Sequence, residues 1–200
     1  MALILLTIGT LFASLSSMPY LRDIIRRQAR PRSVSWAIWA VLLGIMTIAA
    51  FREGQVASAA LSAVSTIGCL LIVSVGWRYG SRNITVLDRV AIAGTAMGLG
   101  ALLFTHDAFI TLVIMLVVDA IAYVPTLVHA WNEPGEESFL SWAMSLIGSA
   151  ATVLAAVATH ASVAGMLYPL YSLVFSLVMV GLLVSGRVRA ALSDYEADEA

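Results

Sequence analysis

The sequence contains no lysine; its eleven basic residues besides histidine are all arginine. We read this as the codon usage of a GC-rich genome, yet it has chemical consequences. Without a lysine there is no Schiff-base site and no P-loop, which excludes a retinal protein of the usual kind and a Walker-A nucleotide motor. Cys69 is alone, so neither a disulfide framework nor a cysteine metal site can form within the chain. Charge of either sign is scarce: 12% of the residues are Asp, Glu, Lys or Arg, where a soluble domain carries roughly 25%. With 60% hydrophobic residues and a mean hydropathy of +0.94, the 200-residue chain reads as an integral membrane protein. HExxH, GxSxG, CxxC and Gly-rich phosphate loops are all missing. His106, His129 and His160 fall at loops or helix ends on different sides, so no metal site and no cofactor are expected. No nucleophile, metal set or acid pair is visible, and the sequence does not read as an enzyme.

Runs of about 20 apolar residues cross a bilayer. Seven are present: Ala2 to Leu21, Ser33 to Phe51, Gln55 to Trp77, Val86 to Phe104, Ala108 to Val128, Ser138 to Thr159 and Ser162 to Ser185. The first lacks the basic segment of a signal peptide and is kept as a membrane helix. With the N-terminus outside, the cytoplasmic segments hold Arg22, Arg26, Arg27, Arg30, Arg32, Arg78, Arg82, Arg89, Arg187 and Arg189, leaving only Arg52 outside. That asymmetry predicts an N-out, C-in protein of the cell membrane, a bacterial inner membrane in our reading. Glu133, Glu136 and Glu137 share one cytoplasmic loop, where acids carry little topological weight. Trp36, Trp39, Trp77, Trp131 and Trp142 are all expected at the cytoplasmic interface, where an amphipathic indole is comfortable. The basic loop from Arg22 to Arg32 is explained by topology and contact with anionic lipid, without nucleic acid. The acidic tail from Ser193 to Ala200 is expected to be disordered.

The uncommon residues repeat. Pro19 and Trp36 recur 106 positions later as Pro125 and Trp142, and Ser35-Trp36-Ala37 falls on Ser141-Trp142-Ala143 without a gap. Helices 1 to 3 then match helices 5 to 7, and helix 4 restores the orientation that an odd number of spans would reverse. The expected fold is all-α, with seven transmembrane helices as two parallel three-helix repeats around a linker. The boundaries are 1–80 for the first bundle, 81–106 for the linker helix, 107–187 for the second bundle and 188–200 for the tail.

Several residues are candidates for chemistry. Pro19 and Pro125 stand near the cytoplasmic ends of helices 1 and 5, and their register favours a paired hinge or gate over two ordinary kinks. Asp119 lies at mid-membrane depth, where an acid costs about 3 kcal/mol on insertion scales. It reads as a proton-coupling or substrate-binding carboxylate, against a packing acid held by a hydroxyl neighbour; its repeat counterpart is Ala13. Tyr123 follows one turn later on the same face. Helix 3 offers Ser62, Ser65 and Thr66, and helix 7 offers Tyr168, Tyr171 and Ser172, with Pro169 beside them. These hydroxyls suit a polar solute, and equally suit close helix packing. Gly94 and Gly98 form a GxxxG on helix 4, either for packing within the chain or as the seam of a homo-oligomer.

This pattern resembles the SWEET, SemiSWEET and PQ-loop superfamily. "YVPTLVHAW" is similar to the SWEET "PVPT" segment, and "MPYLRDIIRRQARPRSVS" is similar to a PQ-loop segment with Tyr20 in place of Gln. The resemblance implies paired triple-helix bundles and alternating-access passage of a small solute at their interface. It also gives Asp119 a proton-coupling role by analogy. Helices 2 and 6 lack the prolines SWEETs carry there, and Ser65, Thr66, Tyr171 and Ser172 occupy the neighbourhood of the SWEET asparagine pair. The function expected is transport of a small polar metabolite (sugar, amino acid or vitamin), with a site of Asp119, Tyr123, Ser65, Thr66, Tyr171 and Ser172. The alternative is a receptor or accessory protein that holds a ligand, lipid or partner helix without passing it, since the same bundle also serves KDEL-type receptors.

Overall fold

Hydrocarbon offers no hydrogen bonds, so a chain this apolar must satisfy its backbone within helices. In a computed structural model, which describes residues 1–104 and 107–198, it does so. The elements are α1 (Ala2–Ile25), α2 (Ser33–Arg52), α3 (Val56–Tyr79), α4 (Val86–Phe104), α5 (Ala108–Asn132), a 3-10 turn (Pro134–Glu136), α6 (Phe139–Ala158) and α7 (Val163–Asp198). Seven of these are long and apolar enough to cross a membrane. Even the shortest, α4 with 19 residues, reaches about 28 Å at 1.5 Å per residue. The outer surface is apolar: Leu3, Phe51, Ile67, Phe104 and Leu154 are all exposed, as a lipid-facing surface requires. The protein is therefore a multi-pass membrane protein.

Helix α2 is the most enclosed, lying against α3, α4 and α5. Helix α1 lies against α3 and α6, α5 against α7, α4 and α2, and α6 against α7. The closest approach is between α1 and α6. A Cβ added to Gly148 would sit 2.9 Å from both the Gly9 carbonyl and the Ala13 amide nitrogen, so the two backbones touch. Small residues are what permit helices to meet this closely in a membrane.

Helix α4 is pinned to α2 at both ends. At its start, Thr85 and Asp88 form a capping box: the Asp88 N–H donates to Thr85 Oγ1 at 3.2 Å and the Thr85 N–H donates to Asp88 Oδ2 at 2.7 Å. The fully buried Asp88 carboxylate also pairs with Arg32 at 2.8 Å and accepts from Ser35 Oγ at 3.3 Å. At the other end, Arg52 donates to the Leu102 carbonyl at 3.2 Å. Between these pins, Gly94 and Gly98 face Val118 and Met115 of α5. The glycine face that offered an oligomer seam is thus covered within the chain, because α5 needs that gap to approach.

One expectation changes. Helix α7 does not stop near Ser185 with a disordered tail; its backbone stays helical to Asp198, beyond the apolar stretch that ends at Arg189. Arg187 stacks on Phe139 at 4.3 Å and Arg189 on Trp131 at 4.2 Å, which anchors the extension to its neighbours. His106 lies outside the described residues, as do positions 199–200. Pro19, Pro125 and Pro169 all sit inside continuous helices rather than at breaks.

The α1–α6 contact predicts a contrast between two glycines. Gly148→Ala should destabilise by roughly 1–3 kcal/mol, since its methyl meets backbone that cannot yield. Gly100→Ala, which meets nothing within 4 Å, should leave the protein as stable or slightly more so. Thermal melts of the purified variants check this; equal melting would show that the two backbones can separate.

Candidate functional site

A cavity of about 100 Å³ lies where six of the seven helices converge, every one but α4 contributing lining residues. Asp119 reaches it from mid-α5 and is 3% exposed. Tyr123, one turn further, lines the same space and packs its ring on Trp39 at 4.7 Å and on Phe175 at 4.4 Å. Tyr171 stacks on Phe175 at 4.5 Å, and its hydroxyl faces the Asp119 carboxyl without a hydrogen bond of good geometry. Ser65 and Ser172 line the cavity from α3 and α7. Thr66 does not: its hydroxyl donates to the Ser62 carbonyl at 2.8 Å and its methyl points toward Gly44 of α2. Ser62 also belongs to that packing, accepting from Thr47 at 3.0 Å. Neither Pro19 nor Pro125 lines the cavity; both stand toward the arginine-rich end of their helices.

The tryptophans are divided by the fold. Trp77 and Trp131 are half exposed, as interface residues should be, but Trp36, Trp39 and Trp142 are buried. Rings from α2, α5 and α6 close a circuit: Trp36–Trp39 at 5.0 Å, Trp39–Tyr123 at 4.7 Å, Tyr123–Trp142 at 6.0 Å and Trp142–Trp36 at 6.3 Å. Tyr20 of α1 joins it, 5.0 Å from Trp36. These are ordinary aromatic packing distances, and Trp36, Trp39, Tyr123 and Trp142 all line the cavity, from the part of their helices nearer the arginine-rich end.

Behind the aromatic floor lies a clamp. Glu137, 6% exposed in the turn before α6, accepts from Tyr20 Oη at 2.9 Å and from Trp142 Nε1 at 3.1 Å. Ser138 donates to Asp23 at 2.5 Å, and Ser141 donates to the Ser16 carbonyl at 2.6 Å. All three tie the end of α1 to the start of α6. The corresponding crossing of α5 with α2 has no such clamp: Thr126, 106 positions after Tyr20, is buried with its hydroxyl unpartnered. In place of Glu137 stands Pro31. Sequence reasoning passed over Glu137 because an acidic loop residue is usually solvated. The available signal was its place four residues before Ser141-Trp142 and opposite a second aromatic, Tyr20.

At the opposite end of the bundle a wider cavity of about 540 Å³ lies between α1, α3, α6 and α7, lined in part by Leu3, Gln55, Thr159 and Gly165. No group of His, Cys, Asp and Glu that could hold a metal is found among the described residues. Comparison with protein-family models, curated proteins and solved structures returns no match.

Burial raises the Glu137 carboxyl to about 7, against the hydrogen bonds from Trp142 and Tyr20 that lower it; the neighbouring Glu136 adds to the rise. The folded protein then holds this proton more tightly than the unfolded chain. Its contribution to stability is therefore largest below the usual carboxylate range and is lost as pH rises through about 7. Glu137→Gln, which cannot ionise, should melt higher than the native protein at about pH 8 and lose most of that advantage near pH 5. Melting curves across that range check it; a pH-independent difference between the two proteins would contradict the sign.

Proposed function

We propose that the protein is a membrane transporter that passes a small polar solute by alternating access. In this reading residues 1–80 and 107–187 are two parallel three-helix units, with 81–106 as the linker helix. The N-terminus lies outside, and the resemblance to the SWEET and PQ-loop superfamily is one of common descent. The carrying observation is the cavity itself, a buried acid and seven aromatic rings enclosed by six helices. It is closed at one end by side-chain contacts between separate helices, which can part and re-form without unfolding either helix. The helix neighbours support the two-unit reading, since α1 against α3 and α6 corresponds to α5 against α7 and α2. The ten-to-one distribution of arginines supports the orientation, which puts the clamp on the cytoplasmic side and the wider cavity outside. Pro19 and Pro125 then serve as hinges one turn from the parts that move. Asp119, Tyr123, Ser65, Tyr171 and Ser172 contact the solute, and Asp119 couples its passage to protons.

Reconstitution tests this. In proteoliposomes a solute that stabilises the protein should show saturable uptake, and Asp119→Asn should abolish pH-driven uptake while exchange persists. Saturable binding without flux would instead favour a receptor that holds its ligand.

A further inference from the structure

The chemistry lining the cavity is one-sided. Its only formally charged residue is Asp119, and neither arginine nor histidine lines it. An ionised carboxylate buried to 3% exposure needs a partner, and the Tyr171 hydroxyl that faces it makes no hydrogen bond of good geometry. The walls are aromatic, and the faces of Tyr123, Tyr171, Phe175 and the three buried tryptophans carry the negative part of a ring quadrupole. Four of the cavity's seven serines already donate their proton to backbone carbonyls: Ser16 to Ala13, Ser17 to Ser14, Ser65 to Leu61 and Ser141 to Ser16. What those four turn toward a ligand is lone pairs. The carboxylate, the ring faces and the serine oxygens all favour positive charge and N–H donors. An anion meets no counter-charge here.

We propose that the solute taken by this cavity is a small organic cation, a primary ammonium compound of a few heavy atoms, held by Asp119 and the aromatic walls. The inference rests on the cavity being the solute site of the transporter reading. The ammonium group sits against the Asp119 carboxylate between Tyr123 and Tyr171, and its carbon chain packs on Phe175 and the tryptophan floor. Removed from water, a cation is drawn to each of these ring faces more strongly than it would be in solvent. One buried donor without a partner, Trp39 Nε1, suits an oxygen elsewhere on the same molecule. Size argues the same way. At about 100 Å³ the space is of the order of the ~150 Å³ cavity that holds one benzene, which excludes a disaccharide in this state.

The test compares probes of matched shape on the purified wild-type protein, read by tryptophan fluorescence and thermal shift. Ethanolamine is the cation, ethylene glycol its neutral isostere, glycolate the anion, and glucose the neutral sugar. Ethanolamine should quench the fluorescence and raise the melting temperature, while the other three do neither. Asp119→Asn should weaken ethanolamine at least about tenfold, the loss expected for a hydrogen bond to a charged group. Tyr123→Leu, which removes a ring and keeps the acid, should weaken it less. Equal responses to ethanolamine and ethylene glycol, a response to glucose or glycolate alone, or no response to ethanolamine would overturn the proposal. The wild-type comparison decides even where a variant fails to fold. Glucose binding with glucose flux would remove the cation and leave the transporter. Ethanolamine binding without ethanolamine flux would remove the transporter and leave the cation.

Discussion

The contact on which the rest of this structure depends is that of two glycines, Gly9 and Gly148, where the α1 and α6 backbones meet with no side chain between them. In a bilayer there is no hydrophobic force to press helices together, so closeness has to come from shape. Once α1 lies this tightly on α6, Tyr20 is brought over Glu137 and Asp23 over Ser138. Ser16 and Ser141 then meet across the crossing. The aromatic floor forms because Trp142 is held in place from below by the same carboxylate that holds Tyr20. A bulkier residue at either glycine would loosen all of these contacts together.

The two crossings that look alike in sequence are chemically different. Pro19 and Pro125 mark both, and the serine-tryptophan pairs stand on the facing helices. At α1 and α6 an acid binds the helices; at α5 and α2 a proline and an unpartnered threonine leave them unclamped. Asp119 adds a second asymmetry, its counterpart being Ala13. The two crossings share a proline and a serine-tryptophan pair, and single residues make them unequal.

Much of this was legible in the chain and some was not, for physical reasons. Membrane spans are set by length and apolarity, and the seven runs match the seven helices to within a few residues, except that α7 continues past Ser185. Asp119 and Tyr123 share a helix face and a cost of burial, so both could be placed in the interior from sequence. Ser65 and Thr66 could not be told apart: neighbours on a helix point about 100° apart, and only packing decides which meets the cavity and which meets α2. That three of the tryptophans pack inside the bundle was not legible, because residues near a helix end serve equally at a lipid interface or inside a bundle. Glu137 was missed because desolvation depends on partners more than a hundred positions away in sequence. Gly9 and Gly148 were missed for the same reason, each being unremarkable within its own helix.

Helix α4 is tied to both α2 and α5. Asp88 fastens its start to Arg32 and Ser35, Arg52 fastens its end, and its glycine face seats Val118 and Met115 of α5. Along this edge α2, α4 and α5 are packed and pinned to one another. Along the opposite edge, α1 and α6 are joined at the arginine-rich end by three side-chain bonds, Tyr20 to Glu137, Ser138 to Asp23 and Ser141 to the Ser16 carbonyl. The α1–α6 seam is thus fastened twice, by backbone contact at Gly9 and Gly148 and by side chains around Glu137, where the α2–α5 seam is held through α4.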